Sequence, residues 1–226
     1  MDTEKTVSSK LDISTLIFDQ SEAGKCQDIC HQYTFIRRVK GDGNCFYRAL
    51  AFRHLELLLH NERAIQRFKD TIIQSGRELL AAGFEENSFK DLLNTFVSVL
   101  EQSGAEDKEE ILVEFFNDPV TSDSIVQYLR LLTSAYLQNH AEFFQNFVEA
   151  PSLKAYCLQE VETMAMECDH VEILALTEAL DLSLCIVSTE GDGHLTYHII
   201  PEGSRPSLHL LYRTSHYDIL YKGPDH

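Results

Sequence analysis

Glycine, proline and long apolar runs are scarce in this chain, and tryptophan is absent. Only 10 glycines and 5 prolines occur among 226 residues, with no internal repeat or low-complexity tract, which excludes fibrous and linker-rich architectures. No apolar run approaches the roughly 18 residues that a membrane-spanning helix needs, and the polar N-terminus is unlike a secretory signal. The sequence therefore predicts a soluble protein without a membrane partner, located in the cytoplasm and, as a second location, the nucleus.

Basic residues are also few. Lysine and arginine total 19 against 36 aspartates and glutamates, which gives a formal net charge of -17 at pH 7. Phosphate backbones repel such a surface, so nucleic acid is excluded as a partner and a protein with a basic surface is favoured. The alternative is that the charge serves only solubility. With 44% hydrophobic residues, the chain is long enough for one sizeable core. We predict a single domain over residues 10–226, preceded by a disordered tail over residues 1–9.

Cysteine is too sparse for a disulfide scaffold. The six cysteines are Cys26, Cys30, Cys45, Cys157, Cys168 and Cys185. Without a secretory signal they are expected to be reduced thiols, and Cys185, which lies in an apolar run, is expected in the core. An alternative zinc site would combine Cys26, Cys30, His31, Cys168 and His170. No Cys-x-x-Cys knuckle supports that site, so we expect neither a metal nor a cofactor.

Hydrophobic spacing changes along the chain from helical to strand-like. Helices are predicted at 23–33, from Cys45 onward (buried along one side), at 88–101, around the apolar stripe 125–136, and at 171–180. Short apolar runs then predict strands at 184–188, 194–200, 208–212 and 217–221. This order indicates an α+β fold, in which helices pack on a mostly antiparallel C-terminal sheet.

Four residues that favour turns, Gly41-Asp42-Gly43-Asn44, stand directly before Cys45 at the predicted start of a helix. The positive end of a helix dipole and its free N–H groups stabilise a thiolate, which is the nucleophilic form of cysteine. Because glycine has no side chain, backbone N–H groups in such a turn can approach a substrate carbonyl, which makes the turn a candidate oxyanion hole. The alternative is a helix cap beside an inert buried cysteine.

A second motif, His216-Tyr217-Asp218, lies near the C-terminus. Residues two apart in a strand point to the same side, which places His216 beside Asp218. A carboxylate next to an imidazole fixes the ring and favours its charged form, which supports a thiolate. The alternative is two polar residues on an exposed strand face. A cysteine early on a helix and a His/Asp pair late on a strand follow the order of papain-like enzymes.

Longer strings around these motifs resemble one enzyme family. Residues 41–50 (GDGNCFYRAL) resemble the catalytic-cysteine box of ovarian-tumour-domain (OTU) deubiquitinases, and residues 216–221 (HYDILY) resemble their catalytic-histidine strand. Residues 128–135 and 167–170 are similar to segments of the otubain branch. The likeness spans about residues 10–222, almost the whole chain. It implies a papain-like OTU fold.

The resemblance also implies an activity and the residues that perform it. The implied reaction is hydrolysis, through a thioester, of the isopeptide bond between the ubiquitin C-terminus and a lysine. Cys45 is the implied nucleophile, His216 the general base and acid, and Asp218 the orienting residue, at a position where some otubains carry asparagine. The implied oxyanion and substrate-binding residues are Asp42, Gly43 and Asn44, with Asp42 also counted as catalytic and the Cys45 backbone as a further donor.

The implied partners are ubiquitin and polyubiquitin chains, and the protein is expected to be a monomer. A second hypothesis is a non-catalytic protein that binds ubiquitin or a ubiquitin-conjugating enzyme and blocks ubiquitin transfer. The presence of Cys45, His216 and Asp218 favours catalysis, because a pure binder needs no thiol.

Two further groups of side chains carry predictions. Phe143, Phe144 and Phe147 are expected in the core, with a partial ubiquitin-facing patch as the alternative. His54, His60 and His140 are expected on the solvent-facing sides of helices.

Overall fold

The computed structural model describes residues 4–103 and 106–223. The α-helices are α1 (Ala23–Gln32), α2 (Cys45–Leu58), α3 (Glu62–Ala81), α4 (Glu86–Gln102), α5 (Lys108–Asn117), α6 (Pro119–Asn139), α7 (Ala141–Phe144), α8 (Leu153–Tyr156) and α9 (His170–Leu180). The strands are β1 (Leu11–Asp12), β2 (Tyr33–Arg37), β3 (Leu184–Ser188), β4 (Thr196–Ile200), β5 (Leu208–Arg213) and β6 (His216–Lys222). Short 3-10 helices lie at Ile13–Thr15, Gln20–Glu22 and Gln145–Phe147, and a π-helical turn lies at Cys157–Val161.

The strands form one sheet with the order β1-β2-β6-β5-β3-β4. All neighbouring strands are antiparallel except β3 and β5, which run parallel. The predicted α+β class, with helices packed on a mostly antiparallel sheet, is confirmed. The four predicted C-terminal strands are joined by two N-terminal strands, because β1 and β2 extend the sheet beyond β6. The residues Tyr33 to Ile36 are aromatic or β-branched, which favours a strand.

Helix α2 lies between the sheet and α6, in contact with β5 and β6. Residues 45–52 are all buried, so this helix is covered around its first two turns and not along one side as predicted. Such a helix is held by packing on every face. Its first residue, Cys45, therefore has a position fixed by the main core.

The predicted helices at 23–33, 88–101, 125–136 and 171–180 are confirmed as α1, α4, α6 and α9. Helix α6 begins after Asp118, whose side chain accepts the Thr121 N–H, and has Pro119 in its first turn, a common arrangement at helix starts. Asp169 and Glu172 form a capping box at the start of α9. Helices α3 and α5 lie outside the predicted helices. Among the described residues, every helix is too short or too polar to span a bilayer.

The predicted disordered tail is wrong for Thr6, Val7 and Ser8. Val7 is fully buried and forms a β-bridge with Val39. Backbone hydrogen bonds join this segment to the residues that precede the Gly41 turn. The polar composition of residues 1–9 concealed these contacts, because a single apolar side chain and a backbone partner suffice to fix three residues. Residues 1–3 lie outside the described residues.

The predicted solvent-facing position is confirmed for His60 and His140, which are exposed, and is wrong for His54. The His54 ring packs edge-on against Phe68, with ring centroids 4.4 Å apart. Burial lowers the pKa of His54 to about 4, so the ring is neutral at physiological pH. It behaves as part of the interface between α2 and α3.

The three clustered phenylalanines divide between core and surface. Phe144 is 1% exposed and packs in a small core cluster, as predicted. Phe143 and Phe147 are 50% and 58% exposed, so the core prediction is wrong for both. Their rings lie 5.1 Å apart and form an apolar surface patch.

Candidate active site

Cys45 is the first residue of α2 and is only 6% exposed. The first N–H groups of a helix have no acceptor within the helix, so the thiol lies at an electropositive end of the backbone. The thiol opens into a narrow cleft lined by Gly43, Cys45, Phe46, Glu167, Cys168, Tyr212, Ser215 and Tyr217. The predicted placement of Cys45 at a helix start is confirmed.

His216 and Asp218 lie side by side on β6, as their spacing predicts. The Nε2 atom of His216 is 2.9 Å from Oδ1 of Asp218. Because a carboxylate only accepts, Nε2 carries the proton, and the Nδ1 atom lies on the side of Gly41, where an added Cβ would be 3.5 Å away. Asp218 is 5% exposed, so the alternative of two polar residues on an exposed strand face is wrong.

A backbone group from outside the strand fixes the Asp218 carboxylate. Its Oδ1 atom accepts the Val39 N–H at 2.8 Å in addition to the His216 ring. Its Oδ2 atom lies 3.7 Å from a guanidinium nitrogen of Arg38, a side chain that is 46% exposed. The carboxylate is therefore oriented mainly by its backbone partner, since an exposed ion pair contributes little.

The hydrogen bond with Asp218 raises the pKa of His216 from 6.5 to about 10. The Cys45 thiol is the second cause of the rise, and burial acts in the opposite direction. The ring is thus protonated at neutral pH. A cationic imidazole beside a thiol stabilises the thiolate, which is the reactive form.

Asp42 points away from the cleft and fixes the turn before Cys45. Both of its carboxylate oxygens lie 3.0 Å from one guanidinium nitrogen of Arg48. Arg48 is fully buried and also donates to Ser122 and Asp123 of α6. The Asp42 side chain therefore has a structural task, and any catalytic part of this residue would have to come from its backbone.

The backbone N–H groups around Cys45 differ in whether they already have an acceptor. The Asp42 N–H donates to the Lys40 carbonyl at 3.0 Å, and the Asn44 N–H donates to Asp42 Oδ1 at 3.0 Å. Among the described residues, the N–H groups of Gly43 and Cys45 have no acceptor. In this conformation the N–H groups of Gly43 and Cys45 are thus available to an oxyanion, whereas those of Asp42 and Asn44 are already bonded. The roles predicted for Asp42 and Asn44 stay predictions.

Gly43 is required where it lies. Its φ of +81° is in the region that favours glycine, and a Cβ added there would stand 1.9 Å from the Ala165 carbonyl oxygen. Ala165 itself has a φ of 67°. The turn and the segment that precedes α9 are therefore packed backbone against backbone.

Arg130 of α6 is hydrogen-bonded both to the Gly43 turn and to the segment that precedes α9. The side chain is fully buried. Its guanidinium donates to the Gly43 carbonyl at 3.1 Å, Asn44 Oδ1 at 2.7 Å, the Met166 carbonyl at 2.8 Å and the Val161 carbonyl at 3.1 Å. The Asn44 side chain is thereby turned inward, where its Oδ1 atom also accepts the Ala165 N–H at 2.9 Å.

Arg48 and Arg130 were not singled out by the sequence analysis, although a signal for both exists. Each is a charged residue inside an otherwise apolar helical stretch, and such residues are rarely buried without partners. Val39 carries no comparable signal, because its contribution to the site is a backbone N–H.

A second cysteine, Cys168, lines the cleft beside Cys45. Burial raises the pKa of the Cys168 thiol well above its ordinary value, which makes it a poor nucleophile. Of the other residues in the alternative zinc site, Cys26, Cys30 and His31 lie on α1, and His170 is the first residue of α9. Over residues 4–103 and 106–223, no three His, Cys, Asp or Glu side chains are arranged to hold a metal ion.

A larger cavity of about 810 Å³ adjoins the cleft and shares Cys168, Tyr212 and Tyr217 with it. Its wall includes the carboxylates of Asp169, Glu190 and Glu202. The surface leading to the thiol is therefore acidic, in keeping with the net charge of the chain.

Comparison with known proteins agrees with this geometry. The sequence profile of the peptidase C65 otubain family matches residues 1–222. Ubiquitin thioesterase OTUB2 of Mus musculus is 46% identical over 226 residues, covering 97% of each chain. Ubiquitin thioesterase OTUB1 of Homo sapiens is 44% identical over 224 residues, covering 96% of this chain and 83% of its own.

The fold is similar to that of h/ceOTUB1 solved with ubiquitin aldehyde and UBC13~Ub. The TM-score is 0.90 at 28% identity, covering 97% of this chain and 91% of that chain. The predicted OTU architecture and the resemblance to otubains are confirmed. The chain belongs to the otubain family of cysteine peptidases, peptidase C65.

Proposed function

We propose that this protein is a thiol-dependent deubiquitinase that hydrolyses isopeptide bonds between the C-terminus of ubiquitin and lysine side chains. The observation that carries the proposal is the Cys45 thiol at the start of a buried helix, beside a His216 ring that Asp218 orients and charges. The relatives named ubiquitin thioesterases support the choice of substrate.

Cys45 and His216 carry out the proposed hydrolysis in two steps, formation of a thioester and its cleavage by water. The Cys45 thiolate attacks the carbonyl carbon of the terminal glycine, and the N–H groups of Gly43 and Cys45 donate hydrogen bonds to the negatively charged oxygen that forms. His216 donates its proton to the departing lysine amine, which leaves a thioester on Cys45. Water then loses a proton to His216 and attacks the thioester, which releases ubiquitin and restores the thiolate–imidazolium pair.

The acidic cavity beside the cleft supports a basic substrate tail. The C-terminal tail of ubiquitin contains arginine, and Asp169, Glu190 and Glu202 supply carboxylates along the way to the thiol. Opposite charges raise the rate of encounter and fix the register of a bound peptide. The closely packed Gly43 turn leaves room for a glycine at the scissile bond and disfavours a larger residue.

The exposed rings of Phe143 and Phe147 fit a second contact with the globular part of ubiquitin. Aromatic side chains contribute strongly to protein interfaces because they bury large areas at low entropic cost. This assignment adopts the alternative left open for these residues by the sequence.

The experiment is to react the protein with ubiquitin that carries an electrophile at its C-terminus, and to incubate it with di-ubiquitins of defined linkage. We expect one covalent adduct, located at Cys45 by mass spectrometry, and release of mono-ubiquitin from at least one linkage. Cys45→Ala removes both results. The matched control, Cys168→Ser, retains both, because the Cys168 thiol is poorly ionised.

Labelling of Cys168 with Cys45 free would reject the assignment of the nucleophile. A stable, folded wild-type protein that neither forms the adduct nor cleaves any linkage would reject the enzymatic proposal.

A second candidate function is the binding of a ubiquitin-conjugating enzyme charged with ubiquitin. The solved complexes of h/ceOTUB1 with UBC13~Ub and with UBCH5B~Ub favour it. Because binding needs no thiol, Cys45→Ala should inhibit ubiquitin transfer by such an enzyme as well as wild type does. Transfer rates unchanged by either protein would reject this function.

A further inference from the structure

Three residues near the N-terminus, Thr6, Val7 and Ser8, run antiparallel to residues 38–40, with a β-bridge between Val7 and Val39. We call these three residues the N-terminal segment. The Ser8 N–H donates to the Arg38 carbonyl and the Lys40 N–H donates to the Thr6 carbonyl, both at 2.9 Å. The Arg38 N–H donates to the Ser8 hydroxyl at 2.8 Å. Residues 38–40 lead directly into the Gly41 turn, so the segment braces the chain immediately before the nucleophile.

Helix α5 holds the N-terminal segment from its other side. The side-chain amide of Asn117 accepts the Val7 N–H at 3.1 Å and donates to the Val7 carbonyl at 2.9 Å. The Thr6 hydroxyl donates to the Phe116 carbonyl. The Val7 side chain is fully buried, and the Val7 N–H and carbonyl both bond to the side chain of Asn117. Val7 is therefore part of the core.

The geometry of the pairing connects this segment to the triad. Hydrogen-bonding groups of successive residues in a strand point to opposite edges. Arg38 and Lys40 bond the N-terminal segment, so Val39 between them faces the other way, and its N–H donates to Oδ1 of Asp218 at 2.8 Å. That oxygen is the one that also bonds His216. A continuous set of bonds thus runs from the segment through Val39 and Asp218 to His216.

We infer that the N-terminal segment is a positioning element for the catalytic triad, acting through Val39 and Asp218. The inference rests on the proposed function, since it assigns His216 and Asp218 to catalysis. Of the described residues that line the cleft, none belongs to the segment. The segment therefore acts on turnover and not on the binding of substrate.

The test uses Asn117→Ala in the full chain. Within the described residues, the Asn117 side chain is hydrogen-bonded to Thr6, Val7 and Val113 and not to residues 38–40 or the triad. Asn139→Ala is the matched control: its amide also joins two elements, donating to the Glu78 carbonyl at 2.9 Å, away from the triad. For Asn117→Ala we expect kcat on a di-ubiquitin to fall about tenfold with KM unchanged, since a displacement of about 1 Å costs up to 100-fold. Asn139→Ala should retain the wild-type kcat.

A second readout does not depend on turnover. The groups that face His216 are Asp218 and Cys45, with Arg38 beside the carboxylate. If the carboxylate loses its Val39 anchor, its bond to the ring weakens, so an NMR titration should give a lower pKa for His216 in Asn117→Ala than in wild type and Asn139→Ala. Ser8→Ala removes the acceptor of the Arg38 N–H together with a local hydrogen bond to the Ser9 carbonyl. It should shift kcat and the pKa of His216 in the same direction by less.

A segment with a merely structural task would give a different pattern. Asn117→Ala would then unfold at lower urea concentration while its kcat and the His216 pKa stayed at wild-type values, and that result would overturn the inference. If Asn117→Ala does not fold, unchanged kcat and pKa values in Ser8→Ala overturn it instead. A wild-type protein without activity would reject the proposed function alone, because the titration still measures the link to His216.

Discussion

Asp218 offers the sharpest test of how this site is built. Its Oδ1 atom accepts from both Val39 and His216, and the amide oxygen of asparagine can accept the same two hydrogen bonds. Asp218→Asn therefore preserves the position of the ring but removes the negative charge. Asp218→Ala removes both. Comparing the two variants separates the orientation of His216 from the stabilisation of its charge.

The size of each effect follows from the pKa of His216. Its rise from 6.5 to about 10 corresponds to about 5 kcal/mol in favour of the protonated ring, with Asp218 as the first cause. In Asp218→Asn the pKa should fall toward its ordinary value and the ion pair should become less populated at neutral pH. We expect kcat/KM to fall about tenfold, or about 1.4 kcal/mol. Asp218→Ala, in which the ring is also free to turn, should lose about 100- to 1000-fold.

The assay is kcat/KM on one di-ubiquitin between pH 6 and pH 10, with Cys45→Ala as the background and circular dichroism as the check on folding. Because the proposed ion pair needs the protonated ring and Asp218 is the first cause of the raised His216 pKa, loss of Asp218 should move the alkaline fall in activity to lower pH. In serine enzymes the corresponding Asp→Asn change costs about four orders of magnitude, because the ring takes the wrong tautomer. If folded Asp218→Asn were as inactive as Cys45→Ala, the thiolate–imidazolium interpretation of this site would have to be abandoned.

Three further predictions concern the turn, the buried histidines and metal dependence. Gly43→Ala should lower the free energy of unfolding in urea by more than about 2 kcal/mol and kcat/KM more than 100-fold, because the new Cβ overlaps the Ala165 backbone. The control is Gly83→Ala, since Gly83 also has a positive φ, +95°, but lies in open space. Equal losses in both variants would contradict the clash. Burial lowers the pKa of His54 and of His209 to about 4. The free energy of unfolding should therefore fall from pH 6.5 toward pH 4, by up to about 3 kcal/mol for each ring. A series of urea unfolding curves in which His54→Gln keeps the full pH dependence would refute this for His54. Treatment with EDTA should leave the cleavage of di-ubiquitin unchanged, and a loss of activity restored by zinc would contradict a purely thiol-based mechanism.

The parts of the site that could be predicted from the sequence are those with local signals. Cys45 follows a glycine-rich turn, and the spacing of His216 and Asp218 in a strand places them on one side, so both positions follow from a few neighbouring residues. The α+β class follows in the same way from the change in hydrophobic period.

The parts that could not be predicted depend on contacts between distant segments. Strand β2 ends in the basic residue Arg37 and is followed by Arg38 and Lys40, and its strand character is visible only once β6 pairs with it. Val7 looks like a lone apolar residue in a polar tail until Val39 and α5 cover it. The Arg130 guanidinium has its hydrogen-bond acceptors only after the Gly43 turn and the segment before α9 have come together. In each case tertiary pairing, and not local preference, decides the outcome.

The position of β6 at the centre of the sheet, between β2 and β5, has a consequence for biosynthesis. Both neighbours of this strand leave the ribosome before it does, and each has only its other partner, β1 or β3, until β6 is made. At about 5–20 residues per second, Cys45 precedes His216 by roughly 10 to 30 seconds. During that interval the growing chain carries a thiol without a base. The thiolate–imidazolium pair that we propose therefore forms only after β6 has inserted between β2 and β5.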